Sequence, residues 1–375
     1  MKYPLNKPFI NKLELSYASD AIKTGWLSVN GKYNKLFEKE FKKFVNKRYV
    51  LGVQSGTAAL HLALKSIKTK SSHKIITPSF SCSSNISSIS QCGATAIIID
   101  VENDTFGLDY NEVKKAIKKH KIYALQLVHV YGHPARDTKK ILRLCKKNKI
   151  FVIEDGSESL GAKIEKKKIG SFGDISIFSL RSEKMIGVGE GGMICTNSKK
   201  IFYEISLLAS RNMPFRDKKS PYWKKYISLG EGYNYLLPHI PAALGYAQMK
   251  KINTIINNKK KVGKLYTSVF KEMNSQKTFK NSTPVYWLNS LIFKKLNKTR
   301  IRQLGDYLKK FGIEVRSGFW PLSKTPKVKK IIFNKDNFSN NLFEKLIVLP
   351  SNYSLTKKDI LFFKDKINQF LNKVS

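Results

Sequence analysis

The chain is poor in acidic residues, in cysteine and in long apolar runs. Its 375 residues include 27 Asp and Glu against 69 Lys and Arg, so the formal net charge is +42. The longest apolar stretches, such as residues 94–101, fall far below the roughly 20 residues of a membrane helix. The first residues, 1–8, are polar and lack the apolar core of a signal peptide. We therefore expect no membrane association and a cytoplasmic location.

Only four cysteines are present, and they are widely spaced: Cys82, Cys92, Cys145 and Cys195. No pair has the short spacing of a zinc site, and no histidine stands with a cysteine or carboxylate at metal-ligand spacing. The sequence therefore predicts no metal site. Isolated cysteines usually behave as small apolar side chains, so we expect four buried free thiols.

The positive charge is carried mostly by lysine, because nine of the 69 basic residues are arginines and 60 are lysines. They are spread along the chain, without a basic tail or a basic stretch interleaved with aromatic residues. We interpret the charge as a solvated surface and expect no nucleic-acid partner. A positive cleft would still attract a substrate that carries a diphosphate.

Apolar, β-branched runs alternate with helical patterns between residues 50 and 196. The runs predict strands at residues 49–54, 74–78, 95–101, 123–129, 150–155, 175–180 and 192–196. Helices are predicted at residues 57–67, 110–120 and 138–148. This alternation favours an α/β fold with a mainly parallel sheet, whose ligands bind at the carboxyl ends of the strands.

From about residue 250 onward, the pattern changes to longer, lysine-rich helices. Strands are expected at residues 285–293 and 312–315, and a terminal helix at residues 357–372. The sequence thus predicts a large domain over residues 1–250 and a smaller α+β domain over residues 251–375. The segment 1–30 is a candidate for packing with the smaller domain.

Lys184 is distinguished from the other lysines by its surroundings. A buried strand is predicted just before it, and a glycine-rich stretch, residues 187–192, allows a tight return of the chain after it. Asp155 ends another apolar strand. A lysine amine can form a Schiff base with the aldehyde of pyridoxal phosphate, and a carboxylate can keep the ring nitrogen of this cofactor protonated. Taken alone, Asp155 is equally compatible with a solvated acid at a strand end.

A turn of small residues opens the helix predicted at residues 57–67. Ser55, Gly56 and Thr57 would present backbone N–H groups at a helix N-terminus, where an anion such as the cofactor phosphate binds well. An ordinary N-cap is the alternative interpretation. The hydroxyl of Ser179 could contact the same phosphate. Together with Lys184, these features predict a pyridoxal phosphate enzyme.

These segments, taken with others, resemble the DegT/DnrJ/EryC1/StrS family of sugar-nucleotide aminotransferases, within the aspartate aminotransferase-like group of pyridoxal phosphate enzymes. The similarity is carried by residues 25–33, 55–61, 129–135, 154–161, 170–174, 178–184, 232–235, 242–245, 312–316 and 320–322. It implies an α/β fold with an aspartate aminotransferase-like large domain, a mainly parallel mixed sheet, and a smaller C-terminal α+β domain.

The resemblance also implies roles for individual residues. Lys184 would carry the cofactor, Asp155 would pair with its ring nitrogen, and Glu158 would lie near its ring hydroxyl. The residues that would hold its phosphate are Gly56, Thr57 and Ser179, with Asn234 contributed by the second subunit of a homodimer with shared active sites. The residues expected near the sugar nucleotide are Trp26, Ser28, Arg316 and Trp320.

The chain departs from the family pattern in three places. Cys82 stands where the family places an aromatic ring over the cofactor, a stack worth around 1 kcal/mol. Leu236 replaces an arginine that is common in the family, and residues 181–183 before Lys184 are atypical. These departures bear on the identity of the substrate more than on the reaction.

The expected function is a glutamate-dependent transamination of a nucleotide-linked 4-keto-6-deoxyhexose, in surface polysaccharide biosynthesis such as that of lipopolysaccharide. The segment around Trp26 and the His-Pro pair after Tyr131-Gly132 look most like the perosamine-type 4-aminotransferases, which use a GDP sugar. A UDP-linked substrate is an alternative. So is the family's sugar dehydratase branch, although that branch carries histidine where Lys184 stands. A noncatalytic relative that binds polyanions is a third alternative.

Overall fold

The structure is a computed structural model that describes residues 1–214, 219, 221–273, 275–334 and 337–374. Its helices are α1 (Lys12–Lys23), α2 (Lys32–Val45), α3 (Gly56–Ser66), α4 (Ser83–Gln91), α5 (Tyr110–Lys119), α6 (Thr138–Lys147), α7 (Lys199–Ala209), α8 (His239–Lys250), α9 (Ile252–Val269), α10 (Lys298–Lys310), α11 (Asn337–Lys345) and α12 (Lys357–Val374). Its strands are β1 (Tyr49–Val53), β2 (Lys74–Pro78), β3 (Thr95–Ile99), β4 (Ala124–Val128), β5 (Phe151–Asp155), β6 (Lys163–Ile164), β7 (Lys167–Lys168), β8 (Ile175–Ser179), β9 (Gly192–Thr196), β10 (Ser282–Thr283), β11 (Asn289–Ile292), β12 (Arg316–Ser317), β13 (Lys330–Phe333) and β14 (Leu346–Leu349).

An eight-stranded sheet forms the centre of the molecule, in the order β1-β9-β8-β5-β4-β2-β3-β13. Strand β9 runs antiparallel to its neighbours β1 and β8, and the other neighbouring pairs are parallel. This mainly parallel mixed sheet confirms the predicted α/β class. The parallel strands bring their carboxyl ends to one edge of the sheet, which is where ligands bind in such folds.

Helices cover both faces of the sheet, so its inner strands are apolar throughout. All five residues of β3 are buried. Ile98 packs on one face in a core shared with α3 and α4, while Ile97 and Ile99 pack on the other face with α5 and α6. This alternation is the pleat of a strand that is buried on two sides.

A smaller antiparallel sheet, β11-β14-β12, lies in the C-terminal part of the chain. Helices α9, α10 and α12 pack around it in a separate apolar core that includes Leu304, Leu349 and Phe363. The predicted terminal helix is confirmed as α12. The strand expected at residues 285–293 is shorter, because only β11 pairs within it.

The strand expected at residues 312–315 was wrong. Gly312 adopts a left-handed backbone with φ +73° directly after α10, which turns the chain away from the helix. The paired strand begins only at Arg316, as β12. Ile313 is nevertheless fully buried, which explains the apolar pattern that suggested a strand.

Two segments connect the large and small sheets. Leu5 donates its N–H to Glu314 and accepts the N–H of Ser351, and the Tyr3 ring packs edge-on against Phe363. Strand β13, from the C-terminal part, adds a parallel edge strand beside β3 of the large sheet. Hydrogen bonds thus cross the expected boundary near residue 250 at both ends of the chain.

Helices α1, α2, α4, α7 and α8 lie where the pattern predicts none. Helix α4 is built largely from serines, whose side chains compete for backbone hydrogen bonds and weaken helices in isolation. Its two isoleucines, Ile86 and Ile89, are buried in the core that contains α3. Tertiary packing therefore stabilises a helix that its composition does not favour.

The four cysteines are free, but the expectation that all are buried was wrong. Cys145 and Cys195 are buried, Cys92 is half-buried, and Cys82 is exposed. Among the described residues, no cluster of metal-ligating side chains is found. Within the same residues, no helix is long and apolar enough to cross a membrane.

Candidate active site

A cavity of about 680 Å³ opens at the carboxyl ends of β1, β5 and β8. Strand β9 begins at the same edge because it runs antiparallel to its neighbours. Eight of the residues predicted for the site line this cavity: Gly56, Thr57, Cys82, Asp155, Glu158, Ser179, Lys184 and Arg316. The fold therefore brings together residues that are separated by more than two hundred positions in the sequence.

Asp155, the last residue of β5, is held in place from two sides. One carboxylate oxygen accepts the side-chain amide of Asn85 at 3.0 Å, and the other accepts the backbone N–H of Ser157 at 3.0 Å. The side chain is almost fully buried. Hydrogen bonds of this kind favour a carboxylate, which is the form needed to pair with a protonated ring nitrogen. Asn85 lies on α4, and its side-chain oxygen Oδ1 is buried and has no hydrogen-bond partner among the described residues.

Lys184 lies in a nearly closed environment between a carboxylate and an aromatic ring. Its amine is 3.2 Å from Glu158 Oε1 and 3.6 Å from the centre of the Trp287 ring. The second oxygen of Glu158 accepts the backbone N–H of Tyr131 at 2.9 Å. Burial raises the pKa of the Glu158 carboxyl, although the Lys184 amine opposes this shift. The lysine is thus oriented by groups from three separate segments of the chain.

The N-terminus of α3 lines one end of the cavity and is suited to binding an anion. Ser55 caps the helix, because its hydroxyl accepts the backbone N–H of Ala58 at 3.0 Å. Gly56 packs closely against Ser179, since a Cβ at position 56 would lie 2.9 Å from the Ser179 Cβ. The first N–H groups of a helix have no partner within the helix and favour negative charge. Ser55 therefore acts as a cap, while Gly56 and Ser179 define the cradle.

Polar side chains extend this cradle along the cavity wall. The hydroxyls of Thr57 and Ser84 are 2.8 Å apart, and Ser84 is also 3.4 Å from the Cys82 sulfur. Arg316 lies at the mouth, about half exposed, and forms an ion pair with Glu183 over 3.9 Å. The cavity therefore changes from a buried, carboxylate-bearing interior to a mouth with charges of both signs.

Four residues predicted for the site lie outside this cavity. The Trp26 indole is 54% exposed and donates to the backbone carbonyl of Val29, and Ser28 is exposed beside it. Trp320 is 50% exposed and packs edge-on against Phe343. Asn234 is exposed. The expected roles of these four residues stay predictions.

Three residues that line the cavity are not singled out by the sequence: Asn85, Tyr131 and Trp287. Asn85 lies on the unpredicted helix α4, and Trp287 stands 103 positions after Lys184. Tyr131 offers a weak signal in the sequence, because it lies in the His-Val-Tyr-Gly-His segment. In the structure its backbone adopts a positive φ of 53°.

The sequence matches the model of the DegT/DnrJ/EryC1/StrS aminotransferase family over residues 8–366. The chain belongs to this family. It is 31% identical to GDP-perosamine synthase of Escherichia coli O157:H7, over 99% of each chain. It is 28% identical to UDP-4-amino-4,6-dideoxy-N-acetyl-beta-L-altrosamine transaminase of Campylobacter jejuni, over 97% of this chain and 96% of that one.

The fold is shared with a solved structure of E. coli GDP-4-keto-6-deoxy-D-mannose-3-dehydratase with bound hydrated PLP. The TM-score is 0.90 at 22% identity, over 97% of this chain and 99% of the other. Family membership makes this chain an aminotransferase, and pyridoxal phosphate is the cofactor that the family indicates, as the sequence predicts.

The residues present fit this cofactor by their chemistry. An amine, a buried carboxylate and a helix N-terminus without a Cβ at its first residue are suited to an aldehyde, a protonated ring nitrogen and a phosphate. Lys184, Asp155 and Gly56 supply these three features, and the cavity of about 680 Å³ encloses them.

Proposed function

We propose that this aminotransferase converts a nucleotide-linked 4-keto-6-deoxyhexose into the corresponding 4-amino sugar, with L-glutamate as the amino donor. A GDP-linked substrate is favoured by the similarity to GDP-perosamine synthase over 99% of the chain. The proposed setting is the biosynthesis of a surface polysaccharide. The proposal includes a homodimer whose active sites are shared.

The observation that carries this proposal is the position of Lys184. Its amine faces the cavity that also contains Asp155, and its side chain is only 11% exposed. A lysine amine can bond to the cofactor aldehyde and later act as a base, whereas a histidine can do only the second. The lysine therefore supports transamination over the dehydratase alternative.

Pyridoxal phosphate, when bound, supplies an aldehyde and a ring that withdraws electrons from a neighbouring carbon. Asp155, supported by Asn85, would hold a proton on the ring nitrogen. Gly56 and Thr57 would donate backbone N–H groups to the phosphate, and Ser179 would add its hydroxyl. These residues would fix the ring at both ends, so that its reactive edge faces Lys184.

Lys184 would move the proton that transamination requires. As a free amine, its Nζ atom would accept a proton from the substrate carbon and hold it for the return transfer. Glu158 and Trp287 would keep the amine at the reactive carbon, because they contact it from two sides in the structure. Water would be largely excluded by the depth of this site.

Charges at the mouth of the cavity suit a diphosphate-bearing substrate. Arg181 and Arg316 both line the mouth, and both contact Glu183, over 3.4 Å and 3.9 Å. A guanidinium can bind phosphate oxygens through two parallel hydrogen bonds. The net charge of +42 would also concentrate such a substrate near the protein.

A UDP-linked sugar is the second candidate substrate, because the similarity to the Campylobacter jejuni transaminase covers almost the same share of the chain. The name of one relative contains a GDP sugar and that of the other a UDP sugar. A direct comparison of the two substrates therefore decides which nucleotide this protein uses.

The test is to supply the purified protein with pyridoxal phosphate, L-glutamate and either a GDP-linked or a UDP-linked 4-keto-6-deoxyhexose. Mass spectrometry and NMR of the products are expected to show a 4-amino sugar from the GDP substrate at the higher rate. The Lys184→Ala variant is the control and is expected to form none. Loss of the 3-hydroxyl in place of amination would identify a dehydratase, and a faster UDP reaction would reverse the order of the two substrates.

A further inference from the structure

Lys259 is a fully buried lysine without a carboxylate partner among the described residues. It lies on α9 with 2% of its surface exposed. Its ammonium donates to Asn6 Oδ1 at 2.8 Å and to the backbone carbonyls of Trp287 at 3.1 Å and Ser351 at 2.5 Å. An ammonium has three donors and no acceptor. These three oxygens therefore use its full hydrogen-bonding capacity.

Two of these three partners also contact the residue that precedes Lys184. The side-chain amide of Asn6 donates to the backbone carbonyl of Glu183, and the indole N–H of Trp287 donates to the same carbonyl at 2.6 Å. We refer to Asn6, Trp287 and Lys259 as the Glu183 clamp. The clamp fixes the main chain directly beside Lys184: Trp287 lines the cavity, whereas Asn6 and Lys259 support it from behind the cavity wall.

The backbone near Trp287 is also held in place by Tyr131 and Gly132. Gly132 has φ +97°, and a Cβ at this position would lie 2.4 Å from the Trp287 backbone nitrogen. Leu288 donates its N–H to the Tyr131 carbonyl, and Val285 donates to the Gly132 carbonyl. This close approach places the Trp287 ring against the Lys184 amine, at 3.6 Å from the ring centre.

We propose that Lys259 is a positioning residue for Lys184, acting through Asn6 and Trp287, which hold the Glu183 carbonyl and the Lys184 amine in place. This inference rests on the proposed function, because it assumes that Lys184 is the lysine that bonds to pyridoxal phosphate. Lys259 itself contacts neither the cavity nor any residue predicted to bind the cofactor. Its effect passes through the clamp.

A purely structural role would predict a different balance of effects. Burial lowers the pKa of Lys259 to about 7, so the charged form is disfavoured in the fold. Lys259→Met removes a buried charge, but it also leaves the oxygens of Asn6, Trp287 and Ser351 without this donor, so the urea midpoint is expected to fall. A purely structural role would give this loss of stability without slower bonding of the cofactor at Lys184.

The experiment follows the bonding of pyridoxal phosphate to Lys184 in protein that has been freed of cofactor. The rate is read from the visible absorbance after addition of pyridoxal phosphate. Borohydride reduction and peptide mass mapping then give the fraction of cofactor on Lys184 and on the other lysines. Urea unfolding of the same proteins gives their stability. The variants are Lys259→Met, Trp287→Phe and their combination, and Lys260→Met is the matched control on the same helix.

Lys259→Met is expected to slow bonding at Lys184 roughly fivefold or more and to spread the label to other lysines, beyond any fall of the urea midpoint. Trp287→Phe, which keeps a ring but loses the indole N–H, is expected to act similarly. Both variants open the same clamp. The bonding rate of the double variant should therefore be less than roughly twofold below that of the slower single variant. Lys260→Met should match wild type.

Equal bonding rates in wild type and Lys259→Met would overturn this inference alone. Losses of rate that multiply in the combined variant would also overturn it, because Lys259 would then act independently of Trp287. Wild-type protein that bonds the cofactor at other lysines but not at Lys184 would overturn the proposed function together with this inference.

Discussion

The amine of Lys184 lies 3.2 Å from Glu158 Oε1, and both side chains are about nine-tenths buried or more. The carboxylate is held in turn by the backbone N–H of Tyr131. A charge-assisted hydrogen bond in such a position is strong, because the surrounding protein screens it less than water would. Glu158 thus links Lys184 to the backbone turn at Tyr131.

Glu158→Gln tests this link with a side chain of nearly the same shape. Removal of the charge is expected to slow transfer of the amino group from L-glutamate by roughly tenfold or more, since a hydrogen bond to a charged group contributes about 1.5–3 kcal/mol. The rate is measured in a single turnover by absorbance. Glu165→Gln is the control, because Glu165 is an exposed carboxylate that pairs with Lys139. A rate equal to wild type would remove Glu158 from the mechanism.

Gly56→Ala tests the anion cradle at the start of α3. The added Cβ would lie 2.9 Å from the Ser179 Cβ, so that the helix end or Ser179 must shift. Affinity for pyridoxal phosphate is expected to fall roughly tenfold, within the usual cost of overpacking. The control is Gly305→Ala in α10, where the Cβ meets only Val315 at 3.5 Å. If the two variants bind the cofactor alike, the cradle does not hold the phosphate.

Cys82→Tyr tests the departure from the family pattern. Cys82 is exposed in the cavity, so a larger side chain has room there. An aromatic ring over the cofactor is expected to tighten binding about fivefold, which corresponds to the 0.5–1.5 kcal/mol of an aromatic pair. Fluorescence titration of cofactor-free protein measures the change. Unchanged or weaker binding would show that the ring of the cofactor does not lie beside position 82.

Lys259 predicts a pH dependence of stability. Its pKa is lowered from 10.5 to about 7, so between these values the unfolded chain binds more protons than the folded chain. The free energy of unfolding therefore rises with pH in this window, by up to about 1.4 kcal/mol per pH unit for this one group. Wild type should gain stability relative to Lys259→Met between pH 7 and pH 10 in urea unfolding. A constant difference would contradict the lowered pKa.

Shared active sites predict complementation between two inactive variants. If Asn234 serves the site of the partner subunit, a mixed dimer of Lys184→Ala and Asn234→Ala contains one site with both residues intact. Random reassociation of equal amounts should then restore roughly a quarter of the wild-type rate in a symmetric dimer. Native mass spectrometry, with an affinity tag on one of the two variants, shows that mixed dimers are present. Mixed dimers without recovered activity would place Lys184 and Asn234 in the site of the same subunit. An Asn234→Ala homodimer with wild-type activity would remove Asn234 from the site.

Much of the central sheet could be predicted from the sequence, because its strands are short apolar runs between clear turns. The ends of all seven strands predicted between residues 49 and 196 lie within two residues of those observed, and residues 74–78 and 192–196 match β2 and β9 at both ends. Asp155 and Ser179 could be placed because they end such strands. Gly56 could be assigned to the site because it begins helix α3 directly after strand β1.

The remaining parts of the site depend on tertiary structure. Asn85 supports Asp155 from α4, a serine-rich helix that forms only because Ile86 and Ile89 are buried. Trp287 reaches Lys184 because Gly132 permits a close approach of two distant segments. Lys259 cannot be recognised among 60 lysines by its neighbours in sequence, since its burial is set by segments from both ends of the chain.

The most direct test of the central claim is the visible absorption spectrum of protein saturated with pyridoxal phosphate, before and after L-glutamate, for wild type and Lys184→Ala. Wild type should show the band of the lysine-bound cofactor, and glutamate should convert this band to that of the pyridoxamine form. Lys184→Ala should lack the lysine-dependent band. An identical band in both proteins, or a wild-type band that no amino donor changes, would contradict an aminotransferase that acts through Lys184.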